Sequence, residues 1–123
     1  MWLPLLGLVL GISLGLLTDL HIPQVYSNYL SIAVLAALDT LFGGIRAHLQ
    51  HIYDDKVFIS GFFFNVSLAA ALAFLGVHLG VDLYLAAVFA FGVRLFQNIA
   101  VIRRILLTKW TERRTGYEAN DRN

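Results

Sequence analysis

The chain has 123 residues, 59% of them apolar and 14% charged, with a formal net charge of +1. A single domain of that size cannot keep so much apolar surface from water, because small domains leave a large share of their area exposed, so a soluble globule is excluded. The lack of cysteine excludes disulfides, thiol catalysis and cysteine-based metal sites, and the near-neutral charge gives no footprint for nucleic acid.

The first apolar segment covers residues 3–18. Pro4 suits a first-turn position, where its missing donor costs little. Gly7, Gly11 and Gly15 recur every fourth residue and form a side-chain-free groove, the small-xxx-small pattern that lets helices in lipid approach closely. The segment has neither a basic n-region nor a small-residue cleavage site, so it reads as a retained helix rather than a signal peptide.

A short connector with Asp19, His21 and Pro23 leads into a second helix, residues 24–48, with Asp39 in the middle of an otherwise apolar run. A carboxylate in lipid is costly unless it finds a partner. Ala36, Asp39, Gly43 and Arg46 follow at helical spacing and share a face. Beyond Gly44 the pattern becomes mixed as the helix leaves the membrane, and Asp54-Asp55-Lys56 reads as the turn. The third helix, residues 57–79, carries a small and polar stripe of Gly61, Asn65, Ala69 and Ala73 that continues through Gly76 to Gly80, with Phe62, Phe63, Leu68 and Phe74 suited to lipid. The fourth, residues 83–107, carries Ala87, Ala90, Arg94 and Asn98 on one stripe. Residues 109–123 are polar and read as an ordered stub with a loose cytoplasmic tail.

These features define an all-α integral membrane protein, with four transmembrane helices in a compact bundle. Each segment is near the length needed to cross a hydrocarbon core of roughly 30 Å. The connectors after the first and third helices contain no Lys or Arg. Arg46 and Lys56 flank the middle turn, and Arg103, Arg104, Lys109, Arg113 and Arg114 gather near the end. The positive-inside rule therefore puts both termini and the middle turn in the cytoplasm. The same basic residues suit anionic lipid headgroups.

Depth gives the sharpest expectation. Tyr29 and Tyr84 suit the outer interface, and Asp39 and Arg94 each lie ten residues further on, ~15 Å at the helical rise. Asn65 lies nine residues from Lys56 on the opposite course, ~14 Å by the same rise. Asp39, Asn65 and Arg94 should thus meet near the midplane, with Asn98 one turn below. The guanidinium would take the carboxylate on two hydrogen bonds and keep donors for the amide. One reading is a structural ion pair that sets helix register. The rival is a proton or solute path, that is, a small transporter or channel working through Asp39, Asn65 and Arg94. The first is preferred, since one acid and one base neutralise each other and a transport path usually has more polar lining.

His48 and His51 lie three apart near Asp54 and Asp55, a spacing open to a divalent ion, but a solvated interfacial loop accounts for the same residues and no metal site is assigned. No nucleophile-base set, phosphate loop or zinc motif is present. The expectation is a non-enzymatic protein without a cofactor.

The segments from Tyr29 to Thr40 and from Gly43 to Gln50 resemble the bacterial small basic protein family, as do Phe62–Asn65, Phe74–Tyr84 and Phe91–Arg103. The resemblance runs from Trp2 to about Trp110. It implies a multi-pass protein of the bacterial plasma membrane whose gene tends to lie near those for cell division and envelope assembly, often beside single-span membrane proteins with extracytoplasmic domains. It carries over no catalytic or ligand-binding residue. The combined expectation is a structural or scaffold subunit that recognises other transmembrane helices through the Gly7/Gly11/Gly15 groove and the exposed part of the third helix's small-residue stripe. Homo-oligomers would form through the first helix.

Overall fold

The computed structural model describes residues 2–122, and its regular structure there is entirely helical. Helix α1 spans Trp2–Leu17, a 3-10 turn covers Gln24–Tyr26, and α2, α3 and α4 span Ser27–Leu49, Asp55–Leu79 and Leu83–Asp121. Three of these, Gln24–Leu49 (with the 3-10 turn), Asp55–Leu79 and Leu83–Asp121, are long and apolar enough to cross a membrane. Helix α1 is apolar but shorter, at 16 residues.

The turns have local causes. Helix α2 ends on His51, whose φ of 61° reverses the chain. The His51 N–H donates to the His48 carbonyl (3.1 Å) and the Ile52 N–H to the Ala47 carbonyl (2.9 Å), which satisfies two otherwise orphaned acceptors. The Asp54 side chain then caps α3 by accepting from the Lys56 N–H at 2.8 Å. At the far end Gly80 takes φ 69°, and the Val81 N–H donates to the Gly76 carbonyl at 3.0 Å. Gly76 must be small there, since an added Cβ would lie 2.6 Å from the Val81 carbonyl oxygen.

Helices α2, α3 and α4 pack on one another through Ile32 and Ala36, Ala69 and Ala73, and Ala87 and Phe91 respectively. Small residues dominate because close backbone approach, not hydrophobic drive, holds helices together in lipid. The outer surface exposes Phe63, Phe64, Leu68, Phe74, Phe89 and Phe96. Phe62, expected on that lipid face, is half-buried edge-on to Phe63 at 5.3 Å.

Two expectations change. The compact four-helix bundle is a three-helix core with α1 outside it: every α1 residue except Pro4 is exposed, and a Cβ added at Gly7, Gly11 or Gly15 would meet nothing within 4 Å. A leucine-rich helix gains nothing by exchanging lipid tails for equally apolar neighbours, and α1 offers no charged group to pair. The tail is also not loose, because α4 continues to Asp121. Arg114 pairs with Glu118 one turn on (3.8 Å) and sits 5.5 Å over the Trp110 ring, and both contacts support an exposed helix.

Candidate functional site

Asp39 sits on the inner face of α2, one turn beyond Ala36, and is 1% exposed. The α4 seam that buries Ala87, Phe91 and Asn98 brings Arg94 opposite it, so that Arg94 Nη2 lies 3.4 Å from Asp39 Oδ2. The acid and base expected to meet do meet. Their geometry differs from the expected fork, because this is a single long contact and neither carboxylate oxygen has a hydrogen-bond partner. Arg94 is also not buried: its side chain is 55% exposed. Arg94 thus reaches the enclosed carboxylate with one guanidinium nitrogen from the edge of the seam, more than half of its side chain remaining outside.

The amides divide between two arrangements. Asn65 of α3 lines the same cavity as Asp39 and Arg94. Asn98 lies one turn below, buried, and its Oδ1 accepts from Arg46 Nη1 at 3.2 Å. Arg46, read from sequence as a topology-setting charge, therefore belongs to the polar layer. Its place on one helical face with Asp39 and Gly43 was the signal for this. The basic residues Lys56, Arg103, Arg104, Lys109, Arg113 and Arg114 are exposed.

Between α2 and α3 a cavity of about 220 Å³ runs from Asp39, Thr40 and Asn65 past Gly61 to Tyr53 and Asp54 in the turn. Gly44 borders it but is closely covered, an added Cβ lying 2.9 Å from the Phe58 ring. Thr40 Oγ1 and the Tyr53 hydroxyl are buried without hydrogen-bond partners, as are both oxygens of Asp39. Burial pushes the Tyr53 phenol up to about 12, with the nearby Asp55 and Asp54 carboxylates adding to the effect. Tyr53 is therefore a neutral O–H donor at physiological pH. Thr40 and Tyr53 escaped the sequence reading because a lone hydroxyl on an apolar helix or in a turn has no pattern. Among the described residues no three His, Cys, Asp or Glu side chains gather as a metal site would require.

The layout is asymmetric along the helices. Toward the α3–α4 turn, the apolar layer of Ile32, Ala36, Ala69, Ala73, Ala87 and Phe91 separates Asp39 from a second cavity of about 280 Å³, bordered by Asn28, Tyr29, Asp82 and Tyr84. Toward the α2–α3 turn the space is partly open, with Asp39, Thr40, Asn65, Tyr53 and Asp54 set among apolar neighbours such as Ile52, Val57 and Phe58.

A helical core with a lipid-suited exterior and an enclosed polar layer defines a membrane protein. Residues 22–107 match the family described as Protein of unknown function (DUF1290), and the chain belongs to that family. It is similar to the "Small basic protein" of Bacillus subtilis (strain 168), with 80% identity over 111 residues covering 90% of this chain and 92% of the relative. It is also 47% identical over 102 residues to uncharacterized proteins of Mycobacterium bovis and Mycobacterium tuberculosis, covering 81% of this chain and 84% of each relative. No solved structure matches the chain.

Proposed function

We propose that this is a non-enzymatic, multi-pass plasma-membrane scaffold that recognises other transmembrane helices through α1. The observation that carries the reading is the position of α1: an apolar helix outside the core, whose Gly7, Gly11 and Gly15 face meets no side chain of its own molecule. Such a face permits a second helix to approach at backbone distance. The occupant is a single-span envelope or division protein, or a second copy of the chain. The envelope and division setting rests on the gene neighbourhood implied by the family resemblance. In this reading α1 is a fourth span, and the basic residues Arg46, Lys56, Arg103, Arg104, Lys109, Arg113 and Arg114 hold both termini and the α2–α3 turn in the cytoplasm against anionic headgroups.

The rival reading as a transporter or channel needs a polar path through the whole core. The closed packing of Ile32 and Ala36 against Ala69 and Ala73 argues against one.

The cysteine-free sequence makes the test direct. Single cysteines through α1 are crosslinked in native membranes, with and without Gly11→Leu. The scaffold reading expects crosslinks that recur on the glycine face and vanish with Gly11→Leu. Crosslinking uniform around α1, or unchanged by Gly11→Leu, overturns it.

A further inference from the structure

We propose that the slot between α2 and α3 is a blind aqueous inlet, bringing water from the α2–α3 turn to Asp39 and ending there. This rests on the membrane reading of the three long helices and is independent of what α1 binds.

Four buried polar atoms border this one space without hydrogen-bond partners: both Asp39 oxygens, of which Oδ2 has only its 3.4 Å ion contact with Arg94, Thr40 Oγ1 and the Tyr53 hydroxyl. Each would carry a desolvation cost in a dry cavity, and buried groups of this kind are ordinarily satisfied by ordered water. The chemistry of the set suits water, which donates and accepts. The carboxylate needs donors, the Tyr53 phenol supplies one, and Thr40 and the Asn65 amide can do both. The volume of about 220 Å³ holds roughly seven waters at about 30 Å³ each. From Asp39 to Ala47, both of which line the slot, is eight residues, ~12 Å of helix, so the column reaches from mid-span to the turn.

Beyond Asp39 a packed apolar layer separates the slot from the cavity at the α3–α4 turn. Ile32 and Ala36 lie two turns and one turn from Asp39 on the far side, 1% and 0% exposed, against Ala69 at 1% and Ala73 at 4%. That packing leaves no room for water. The inlet is kept open by the absence of a side chain at Gly61, where an added Cβ would meet nothing within 4 Å. One-sided hydration also explains how a carboxylate with a single long ion contact persists at this depth: water, rather than protein, supplies its missing donors.

Single cysteines at Thr40, Asn65, Ala36, Ala69 and Asp54 are placed one at a time in the full chain. They are treated with membrane-impermeant trimethylammonioethyl methanethiosulfonate in sealed vesicles of each orientation. The inlet predicts that Thr40→Cys and Asn65→Cys react only from the side on which Asp54→Cys reacts. It also predicts that they outpace Ala36→Cys and Ala69→Cys by roughly tenfold or more, since a dry core offers a charged reagent no path. Adding Gly61→Leu should slow Thr40→Cys to the Ala36→Cys rate and leave Asp54→Cys unchanged. Equal rates at positions 36, 40, 65 and 69, or reaction at Thr40→Cys from both sides, would overturn the inlet. The comparison of positions 40 and 65 with 36 and 69 decides the matter even if Gly61→Leu does not fold.

Discussion

Asp39 and Arg94 stand 3.4 Å apart with opposite surroundings, the carboxylate side chain 0% exposed and the guanidinium side chain 55% exposed. An ion pair so placed is not symmetrical in what its loss would do. Without Arg94, an enclosed charge has no counter-ion, whereas without Asp39 the arginine, more than half exposed, can extend its head to a more polar level.

Arg94→Gln should therefore destabilise the protein more than Asp39→Asn. The double variant should be more stable than the sum of the two losses predicts, with a coupling of roughly 1–3 kcal/mol for groups in contact. Unfolding by titration of SDS into mixed micelles measures all four corners of the cycle. Additive losses, or a larger loss for Asp39→Asn, would mean that the pair does not act as described.

The glycines divide by what surrounds them. Gly76→Ala should cost about 1–3 kcal/mol, because its methyl would meet the Val81 carbonyl oxygen at 2.6 Å and backbone cannot swing away. Gly61→Ala should be neutral or stabilise by about 0.5–1 kcal/mol, since it meets open space and removes a flexible residue from a helix interior. The same unfolding assay ranks them.

His51 holds the left-handed position that closes α2, at φ 61°. A side chain there carries a conformational cost of roughly 1–2 kcal/mol that glycine avoids. His51→Gly should raise the unfolding midpoint, and His51→Val should lower it. A drop with glycine would show that the imidazole makes a contact outweighing the backbone term.

Arg46→Gln should weaken the layer below Asp39, because it removes the charged donor to Asn98 Oδ1. Hydrogen bonds to charged groups contribute roughly 1.5–3 kcal/mol, with partial exposure here favouring the lower end. Arg46→Lys should recover only part of the loss, since an ammonium cannot reproduce the planar fork. If Arg46→Gln leaves stability unchanged, Arg46 acts only in topology.

The tail helix should be separable from the core. Every residue from Leu106 to Arg122 is exposed, and its surface ion pair contributes only about 0.3–0.5 kcal/mol. A chain ending at Thr108 should unfold at the same SDS fraction as the full chain. Circular dichroism should show a loss of helix that matches the removed residues. A lower midpoint would reveal contacts between the tail and the bundle.

Much of this protein is written in local pattern. The apolar runs, the turn at Asp54 and the helix end at Gly80 follow from composition and backbone preference, which act within a few residues. The meeting of Asp39 with Arg94 was also legible, because helical rise converts residue number into depth and each group lies on a stripe of small residues. What the sequence by itself determined was therefore the helices, most of their bounds and the approach of Asp39 to Arg94. Tertiary structure alone decided that α1 stays outside the core, that Arg94 remains more than half exposed, that Arg46 turns to Asn98, and that a packed apolar layer separates the slot at Asp39 from the cavity at the α3–α4 turn. Those outcomes depend on how neighbouring helices fill space around each other. In lipid, apolar surface gives no preference among arrangements, so the fit of glycine, alanine and a few polar atoms decides between them.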